Sequence, residues 1–289
     1  RRLRKHYPVR GGVFGRQRLR VRAVEDVTFD LHPGETLPEH WPVDGTTGYD
    51  TLNALNGLFV DRAASRRIRS FYRSFAGVRE EYELALQNRK RQILEAQMHG
   101  DLDNLTRYMR RVVSDDRYGI DITAPSLRRA LGEVMVNMPV YRTYVTDIIN
   151  RPADRQYIDL ALTAARKRLP HHDYELDYIE SFLLLTYTRF VSEESKQRLG
   201  DVVLRFQQFT GPLMAKGLED TLMYGYLPLL SVNEVGGSPE ILGGTARDFH
   251  AGMRRLAERH PRTMTASSTH DTKRGEDTRL RIDGISRYF

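Results

Sequence analysis

The chain has 289 residues, of which 40% are hydrophobic and 29% are charged, and it contains no cysteine. This length allows a sizeable core, and the absence of cysteine excludes disulfides, thiolate nucleophiles and cysteine metal sites. No apolar run approaches the roughly 20 residues that a membrane-spanning helix needs, so we expect no membrane contact. The strongly basic start has no apolar segment behind it, which predicts no secretory signal and a cytoplasmic location.

The net charge of +7 is concentrated at the start of the chain. The first 22 residues contain nine Lys or Arg and no Asp or Glu, and subtracting these nine charges leaves −2 for residues 23–289. A basic tail can bind phosphate backbones without sequence preference, and it can equally be a solvated end segment. Because the body is near neutral, we expect no specific binding of nucleic acid.

Residues 1–36 alternate strand and turn signals. The glycines of RGGVFGR are followed by the β-branched and aromatic residues of VRAVEDVTFDL and the turn residues HPGE, which predicts two short strands and a turn. This stretch resembles the beginning of ATP-binding subunits of oligopeptide-type ABC transporters, and Tyr7 falls near where that family stacks an aromatic ring on adenine. The sequence contains no G-x-x-x-x-G-K-[ST] phosphate loop, so we expect no ATP hydrolysis.

From residue 62 to about residue 260 the pattern is mainly helical. In TAPSLRRALGEVMVNMP, Pro125 lies in the first turn, Pro139 ends the run, and apolar residues from Leu127 to Met138 share one face. Further helices are predicted at REEYELALQNRKRQILEAQM, LDNLTRYMRRVV, RQYIDLALTAARKRL, LDYIESFLLLTY, SEESKQRLGDVVLRFQQF and TARDFHAGMRRLAERH. Two strands are predicted after residue 36, at PVYRTYV (139–145) and TMTASS (263–268).

The sharpest motif is STHDTKRGED, residues 268–277, directly after the predicted TMTASS strand. In a (β/α)8 barrel the carboxyl ends of the strands carry the active site, so a carboxylate, an imidazole and two cations at this point could form one. An exposed turn in which Asp271 caps the next helix fits the residues as well. Similarly, MAKGLED can be a helix with a Lys216–Glu219 pair, and NEVGG can contact a sugar or, as its two glycines favour, form a tight connection.

Several stretches occur in one order along the chain: ETLPEHWPVDGTTGYD, NALNGLFVD, MAKGLEDTLMYGY, LLSVNEVGGSPE, RDFHAGMRRLAERHP and TASSTHDTKRGEDTRLRI. Together they resemble maltooligosyltrehalose synthases, a family of the α-amylase group of glycoside hydrolases, from about Leu37 to nearly the last residue. One departure is Thr51, where the family usually has an aromatic residue, although Leu58 and Phe59 keep the region apolar.

The resemblance implies a retaining barrel enzyme that moves the reducing-end glucose of a maltodextrin from an α-1,4 to an α,α-1,1 linkage. Retention needs a nucleophile and an acid/base about 5 to 5.5 Å apart, while a third carboxylate and its histidine hold sugar hydroxyls. His270 and Asp271 match that third position. Other residues that the resemblance places at the sugar are Lys216, Glu219, Lys273 and Arg274. No metal and no cofactor are expected.

The two catalytic carboxylates of the family are expected to be absent. The family carries its nucleophile in an Arg-x-Asp-His segment and its acid/base on the next strand, upstream of LPEHWPVDG, where this chain has the transporter-like residues. Asp283 in LRID follows the HDTKR motif and lacks the histidine, so we do not assign it, and Glu35 is not expected to replace the acid. We therefore predict a chimera that is inactive by itself.

The predicted architecture is of α/β lineage but mostly helical: a fragment of a (β/α)8 barrel with a large inserted helical subdomain. Barrel pieces are expected at about 37–61 and 261–289, and the insertion at about 62–260. Beyond residue 289 the family has a last barrel strand and a β domain, so unpaired strand edges predict self-association. The alternative is a non-enzymatic helical module that binds maltodextrin or a partner.

Overall fold

The computed structural model describes residues 5–11, 17–24, 43–114, 119–146, 152–186 and 193–289, with backbone only for the first two ranges. The change of resemblance near residue 36, the HPGE turn and Glu35 lie outside these residues, as does the side chain of Tyr7.

A β-hairpin forms near the start of the chain. Strand β1 (Lys5–Gly11) pairs antiparallel with β2 (Gln17–Val24), with Val9 opposite Leu19 and an irregularity at Lys5 and His6. Two strands are thus confirmed within residues 1–36, with the second beginning earlier than VRAVEDVTFDL. In the described residues this hairpin is the only sheet.

The remaining described chain is mostly helical, as predicted. The helices are α1 (Tyr49–Gly57), α2 (Ser65–Ala76), α3 (Tyr82–Ala96), α4 (His99–Ser114), α5 (Ala124–Asn137), α6 (Pro152–Arg168), α7 (Asp173–Leu183), α8 (Glu193–Met214), α9 (Ala246–Arg259) and α10 (Glu276–Ile285). Short 3₁₀ turns lie at Arg62–Ala64, Leu222–Tyr224, Leu230–Val232 and Ser286–Tyr288, and a π-helical turn lies at Ala215–Glu219. Among the described residues, no helix combines the length and apolar composition that a membrane span requires.

The seven helices predicted from periodicity, α3 to α9, are confirmed. In α5 the Thr123 hydroxyl accepts from the Ser126 backbone N–H, and Pro125 occupies the first turn, where its missing N–H costs nothing. The predicted apolar face of α5 is buried, from Leu127 to Met138. Three helices, α1, α2 and α10, are additional to the prediction.

The chain divides into two compact units. The first contains the described residues of Arg1–Val78 together with Leu227–Phe289, and the second is Arg79–Tyr226. In the second unit, α3 to α8 build a continuous core in which Phe182 and Phe206 are the largest buried apolar side chains. The first unit has a smaller apolar cluster, made by Val60, Ala64, Ile68, Leu229, Val232 and Leu242.

The strand predicted at PVYRTYV is wrong. Side chains bind the backbone groups of Tyr144 and Val145 at the end of this segment. The Val145 N–H donates to Oε1 of Gln207 at 2.7 Å, the Val145 carbonyl accepts from Nε2 of the same Gln207 at 3.1 Å, and the Tyr144 N–H donates to Asp154. Gln207 is buried in α8, so its amide replaces the ladder that the β-branched residues would otherwise need.

The strand predicted at TMTASS is also absent as a regular strand, although the chain there is not helical. The Met264 N–H donates to the Thr46 carbonyl at 3.2 Å, and the Thr46 N–H donates to the Thr263 hydroxyl at 2.9 Å. Residues 43–48 and 263–266 therefore lie side by side. One main-chain bond between them falls short of a ladder. The next carbonyl along the chain, that of Ser267, accepts from the Arg279 guanidinium.

Candidate functional site

The residues of the HDTKR motif form a compact turn before α10. The Asp271 N–H donates to the Thr269 hydroxyl at 3.2 Å, and the Thr272 hydroxyl donates to the Thr269 carbonyl at 2.8 Å. The N-cap of α10 is Gly275, and no side chain caps it. Asp271 is therefore not the cap of the following helix, although the turn that carries it is exposed, as the structural alternative predicted.

The carboxylate of Asp271 is held from two sides. The Tyr49 hydroxyl donates to Oδ2 of Asp271 at 2.9 Å, and Nε2 of His270 lies 3.3 Å from the same oxygen. The His270 side chain is 87% exposed and that of Asp271 is 53% exposed, whereas Tyr49 is buried. The buried Tyr49 hydroxyl orients the Asp271 carboxylate, and the exposed part of the carboxylate can accept hydrogen bonds from a ligand's hydroxyls.

Tyr49 reaches this position because α1 begins close to the residues that precede the turn. Gly48, the N-cap of α1, has φ 92°, which is a left-handed conformation that suits glycine. A Cβ at Gly48 would lie 3.1 Å from the Ala266 backbone nitrogen and 3.2 Å from the Met264 carbonyl oxygen. The glycine thus lets the first turn of α1 approach residues 264–266.

Behind the turn lies the buried carboxylate of Glu234. Its Oε2 accepts from the Lys273 backbone N–H at 2.6 Å, and its Oε1 lies 3.7 Å from Nη1 of Arg274, which also donates to the Leu230 carbonyl at 3.2 Å. Burial raises the pKa of Glu234, against the opposing effects of the Lys273 N–H, Arg279 and Arg274. The Arg274 guanidinium is directed at these buried groups.

Arg279 of α10 holds the two ends of the same turn. Its guanidinium donates to the Arg274 carbonyl at 2.7 Å and to the Ser267 carbonyl. Close to it, Asp283 is fully buried, and its two carboxylate oxygens have no hydrogen-bond partner of normal geometry, although the Ser231 hydroxyl and Arg279 both favour its ionised form. Burial nevertheless raises the pKa of Asp283 to about 6.

The connection at NEVGG is tight, as its glycines predict. Gly236 has φ 72°, and the Gly237 N–H donates to the Glu234 carbonyl at 2.8 Å. A Cβ at Gly237 would lie 2.7 Å from Oδ1 of Asn53 and 2.8 Å from the Val232 carbonyl oxygen. The close packing of this connection fixes Glu234 beneath the HDTKR turn.

Lys216 and Glu219 lie in the second unit, on the π-helical turn. They do not form the pair considered above: Nζ of Lys216 donates to Oδ2 of Asp220 at 2.6 Å, and Oε1 of Glu219 accepts from the Tyr141 hydroxyl at 2.6 Å. The hydrogen bond to Asp220 raises the pKa of the Lys216 amine. A π-helical turn shifts the side-chain spacing from that of an α-helix and is frequent at functional sites.

Four of the six predicted site residues, His270, Asp271, Lys273 and Arg274, therefore share one turn in the first unit, and the other two share one turn in the second. Sequence reasoning missed the residues that hold them, Tyr49, Tyr141, Glu234 and Arg279. Tyr49 lies in the quoted GTTGYD stretch, which was the available signal. Among the described residues, no group of three or more His, Asp or Glu side chains is placed to hold a metal ion.

No family model matches the sequence. A protein named as a maltooligosyl trehalose synthase in Mycobacterium tuberculosis is 30% identical over 252 residues, which are 87% of this chain and 30% of that protein. This chain is homologous to part of the maltooligosyltrehalose synthases. The solved maltooligosyltrehalose synthase from Arthrobacter ramosus matches 90% of the chain with 31% identity and a TM-score of 0.74.

A solved glycosyltrehalose synthase matches 90% of the chain with 26% identity and a TM-score of 0.63. The chain spans about 30% of the length of the relatives that it matches. The resemblance inferred from the ordered sequence stretches is thereby confirmed.

Proposed function

We propose that this chain is a sugar-binding part of a maltooligosyltrehalose synthase. The corresponding reaction is an isomerisation in trehalose biosynthesis: the reducing-end α-1,4 linkage of a maltodextrin becomes an α,α-1,1 linkage by intramolecular transglucosylation. Homology and the shared placement of His270, Asp271 and Lys273 on one turn support this proposal.

The observation that carries the proposal is that Oδ2 of Asp271 lies close to both the Tyr49 hydroxyl and Nε2 of His270. Tyr49 fixes it from the buried side, while His270 and the rest of the carboxylate remain exposed. Such a pair can bind adjacent sugar hydroxyls, and its hydrogen bonds strengthen as positive charge develops on the sugar ring. His270 and Asp271 thus have the role of the third carboxylate and its histidine.

Lys273 and Arg274 of the first unit, and Lys216 and Glu219 of the second, are each proposed as sugar-binding residues. An intramolecular transfer must hold the released glucose in place and keep water from the intermediate, which fixed hydrogen-bonding groups and a closed site can do. The buried partners of Arg274 suggest that it acts mainly by holding the turn.

The barrel assignment is also a proposal. Residues 45–48 lie beside residues 263–266, and a main-chain hydrogen bond joins Thr46 to Met264, which is compatible with a position on two adjacent barrel strands. We assign about 37–61 and 261–289 to the barrel and about 62–260 to the helical insertion. Residues 1–36 keep their resemblance to the transporter subunit. Self-association through unpaired edges remains a prediction, which size-exclusion chromatography at several protein concentrations would test.

The sequence has no Arg-x-Asp-His segment, so we propose that the chain does not turn over its substrate alone. The test incubates the purified chain with maltopentaose and follows the loss of reducing ends, with maltopentaose binding measured in parallel by NMR. We expect binding without turnover, and we expect Asp271→Asn to weaken binding, whereas Asp277→Asn, a change of an exposed carboxylate in α10, should not. Turnover by the chain would contradict its proposed inactivity, and equal effects of the two variants would contradict the assigned site.

A non-enzymatic binding module in a cytoplasmic protein is the second candidate. It is favoured by the large core that the helical unit builds from its own residues. If Lys216→Met and Asp271→Asn both leave maltodextrin binding unchanged, the contact lies elsewhere on the chain and this second candidate is supported.

A further inference from the structure

The helical unit contains a buried lysine. Lys90 of α3 is 1% exposed, and its Nζ donates to the Met138 carbonyl at 2.9 Å. Burial lowers the pKa of its amine to about 7; the charge of Glu83 opposes this change and that of Arg91 adds to it. A long polar side chain is rarely buried without a specific partner, so its contacts indicate what it does.

The carbonyl that Lys90 binds lies at a sharp change of chain direction. Met138 is the C-cap of α5, with extended backbone angles of φ −60° and ψ 121°. Pro139 follows and cannot continue the helix. The amine of Lys90 therefore satisfies a buried carbonyl at the point where the chain leaves α5 for residues 139–141.

The stem of Lys90 packs against the π-helical turn. A Cβ at Gly217 would lie 2.5 Å from Cγ of Lys90 and 3.3 Å from its Cα. Gly217 lies between Lys216 and Leu218 in Ala215–Glu219, and it is buried. The absence of a side chain at Gly217 is therefore what lets Lys90 lie directly on this turn.

The two segments that Lys90 contacts, residues 138–141 and the π-helical turn, also contact each other at the predicted site residue Glu219. Tyr141, three residues after Met138, donates its hydroxyl hydrogen bond to Oε1 of Glu219 at 2.6 Å, and Glu219 is two residues after Gly217. Lys90, residues 138–141 and the π-helical turn thus form a closed set of contacts.

We propose that Lys90 is a positioning residue: by binding the Met138 carbonyl and packing on Gly217, it holds Tyr141 and Glu219 in register for contact with the hydroxyls of a maltodextrin. The part of this inference that concerns the sugar rests on the proposed function. The part that concerns the register of the two segments does not.

The first experiment measures hydrogen exchange in the full chain for peptides that cover residues 138–146 and 215–222. Lys90→Met keeps the apolar stem but removes the donor, and Gly217→Ala pushes on the stem, so each should raise exchange in both peptides about tenfold while α6 stays unchanged. The matched control is Gly200→Ala, since a Cβ at Gly200 meets nothing within 4 Å. Unchanged exchange in the two peptides, or an equal rise in all helices, would overturn the proposal.

The second experiment measures maltopentaose binding in a double-mutant cycle of Lys90→Met and Tyr141→Phe. If Lys90 acts through Tyr141 and Glu219, either change weakens binding about tenfold and the second adds little, because coupled residues are not additive. Independent, additive losses would show a merely structural role and overturn the proposal. If the unsubstituted chain binds no maltopentaose, the proposed function fails, while the exchange measurement still decides whether Lys90 sets the register.

Discussion

The hydroxyl of Tyr49 donates a 2.9 Å hydrogen bond to Oδ2 of Asp271, although 222 positions separate the two residues. The bond joins the first residue of α1 to the turn before α10, two segments that are both predicted to be pieces of a barrel. It therefore sets the direction of the carboxylate that we propose as a sugar ligand, from the buried side of the unit.

Replacement of Tyr49 by Phe should weaken maltopentaose binding about three- to tenfold, because the charged acceptor loses a bond worth about 1 to 1.5 kcal/mol. The ring stays buried, so the thermal unfolding temperature should change little. NMR titration with maltopentaose gives the affinity. Tyr288→Phe is the control, since Tyr288 is 91% exposed; an equal loss in both variants would be incompatible with a role for the Tyr49 hydroxyl.

Replacement of Asp283 by Asn should stabilise the protein above pH 6 by about 2 kcal/mol. In the folded chain Asp283 keeps its proton up to about pH 6, while in the unfolded chain it loses the proton near its ordinary value of 3.8. As the pH rises from about 4 to 6, ionisation of Asp283 therefore stabilises the unfolded state but not the folded state. The resulting loss of folding stability reaches its full value above about pH 6.

Urea unfolding at pH 5 and pH 8 checks this expectation. The stability difference between Asp283→Asn and the unsubstituted chain should grow from pH 5 to pH 8. A variant that is less stable than the unsubstituted chain at pH 8 would mean that the attraction between Asp283 and Arg279 outweighs the cost of burial.

Periodicity was sufficient to predict α3 to α8, because each buries one face of a helix in the core of the second unit; α9 was predicted in the same way although none of its residues is buried. It failed at PVYRTYV, where β-branched and aromatic residues alternate but the buried Gln207 amide takes both polar groups of Val145. A single side chain 62 positions away supplied the bonds that a strand would have made, and no local pattern can show this.

The sequence predicted the candidate site at His270 and Asp271, because side chains that can bind a sugar occur there within a recognisable motif. Its supports were not, because Glu234 and Arg279 occur in stretches that also fit a surface connection and an exposed helix. Their importance comes from burial: Glu234 is fully buried and Arg279 is 3% exposed. Burial of a charge depends on which segments the fold brings together, and the sequence does not state that directly.

The stability of the helical unit should rise as pH increases from about 7 to 10. Lys90 has a folded pKa of about 7, below its ordinary value of 10.5. Between these two values the amine is neutral in the folded chain and protonated in the unfolded chain. As the pH rises, the unfolded chain also loses this proton, so the free-energy cost of burying Lys90 disappears. The change is of the order of 4 kcal/mol. Glu83 and Arg91 are the charged neighbours that modify it.

Thermal unfolding of the unsubstituted chain and of Lys90→Met at pH 6.5, 8 and 9.5 isolates this contribution. Other groups titrate equally in both proteins, so the stability difference between them should be nearly constant below about pH 7 and should change steadily from pH 7 to 9.5. Parallel curves over the whole range would show that Lys90 remains charged when folded.

Removal of the Glu234 carboxylate should loosen the HDTKR turn. Glu234→Ala leaves the Lys273 N–H and the Arg274 guanidinium without their buried acceptor, which should cost about 3 kcal/mol of stability. Glu234→Gln keeps an oxygen for the Lys273 N–H, and because burial already disfavours the charge of Glu234, its cost should be less than half of that.

Hydrogen exchange of a peptide covering residues 268–275 separates the two variants. We expect faster exchange in Glu234→Ala and near-normal exchange in Glu234→Gln. Glu240→Gln is the surface control: Glu240 lies 3.6 Å from Arg69, and both side chains are about one third exposed, so loss of this pair should cost less than about 1 kcal/mol. If Glu234→Gln loosens the turn as much as Glu234→Ala, the charge opposite Arg274 and not the hydrogen bond to Lys273 holds the predicted sugar-binding residues in place.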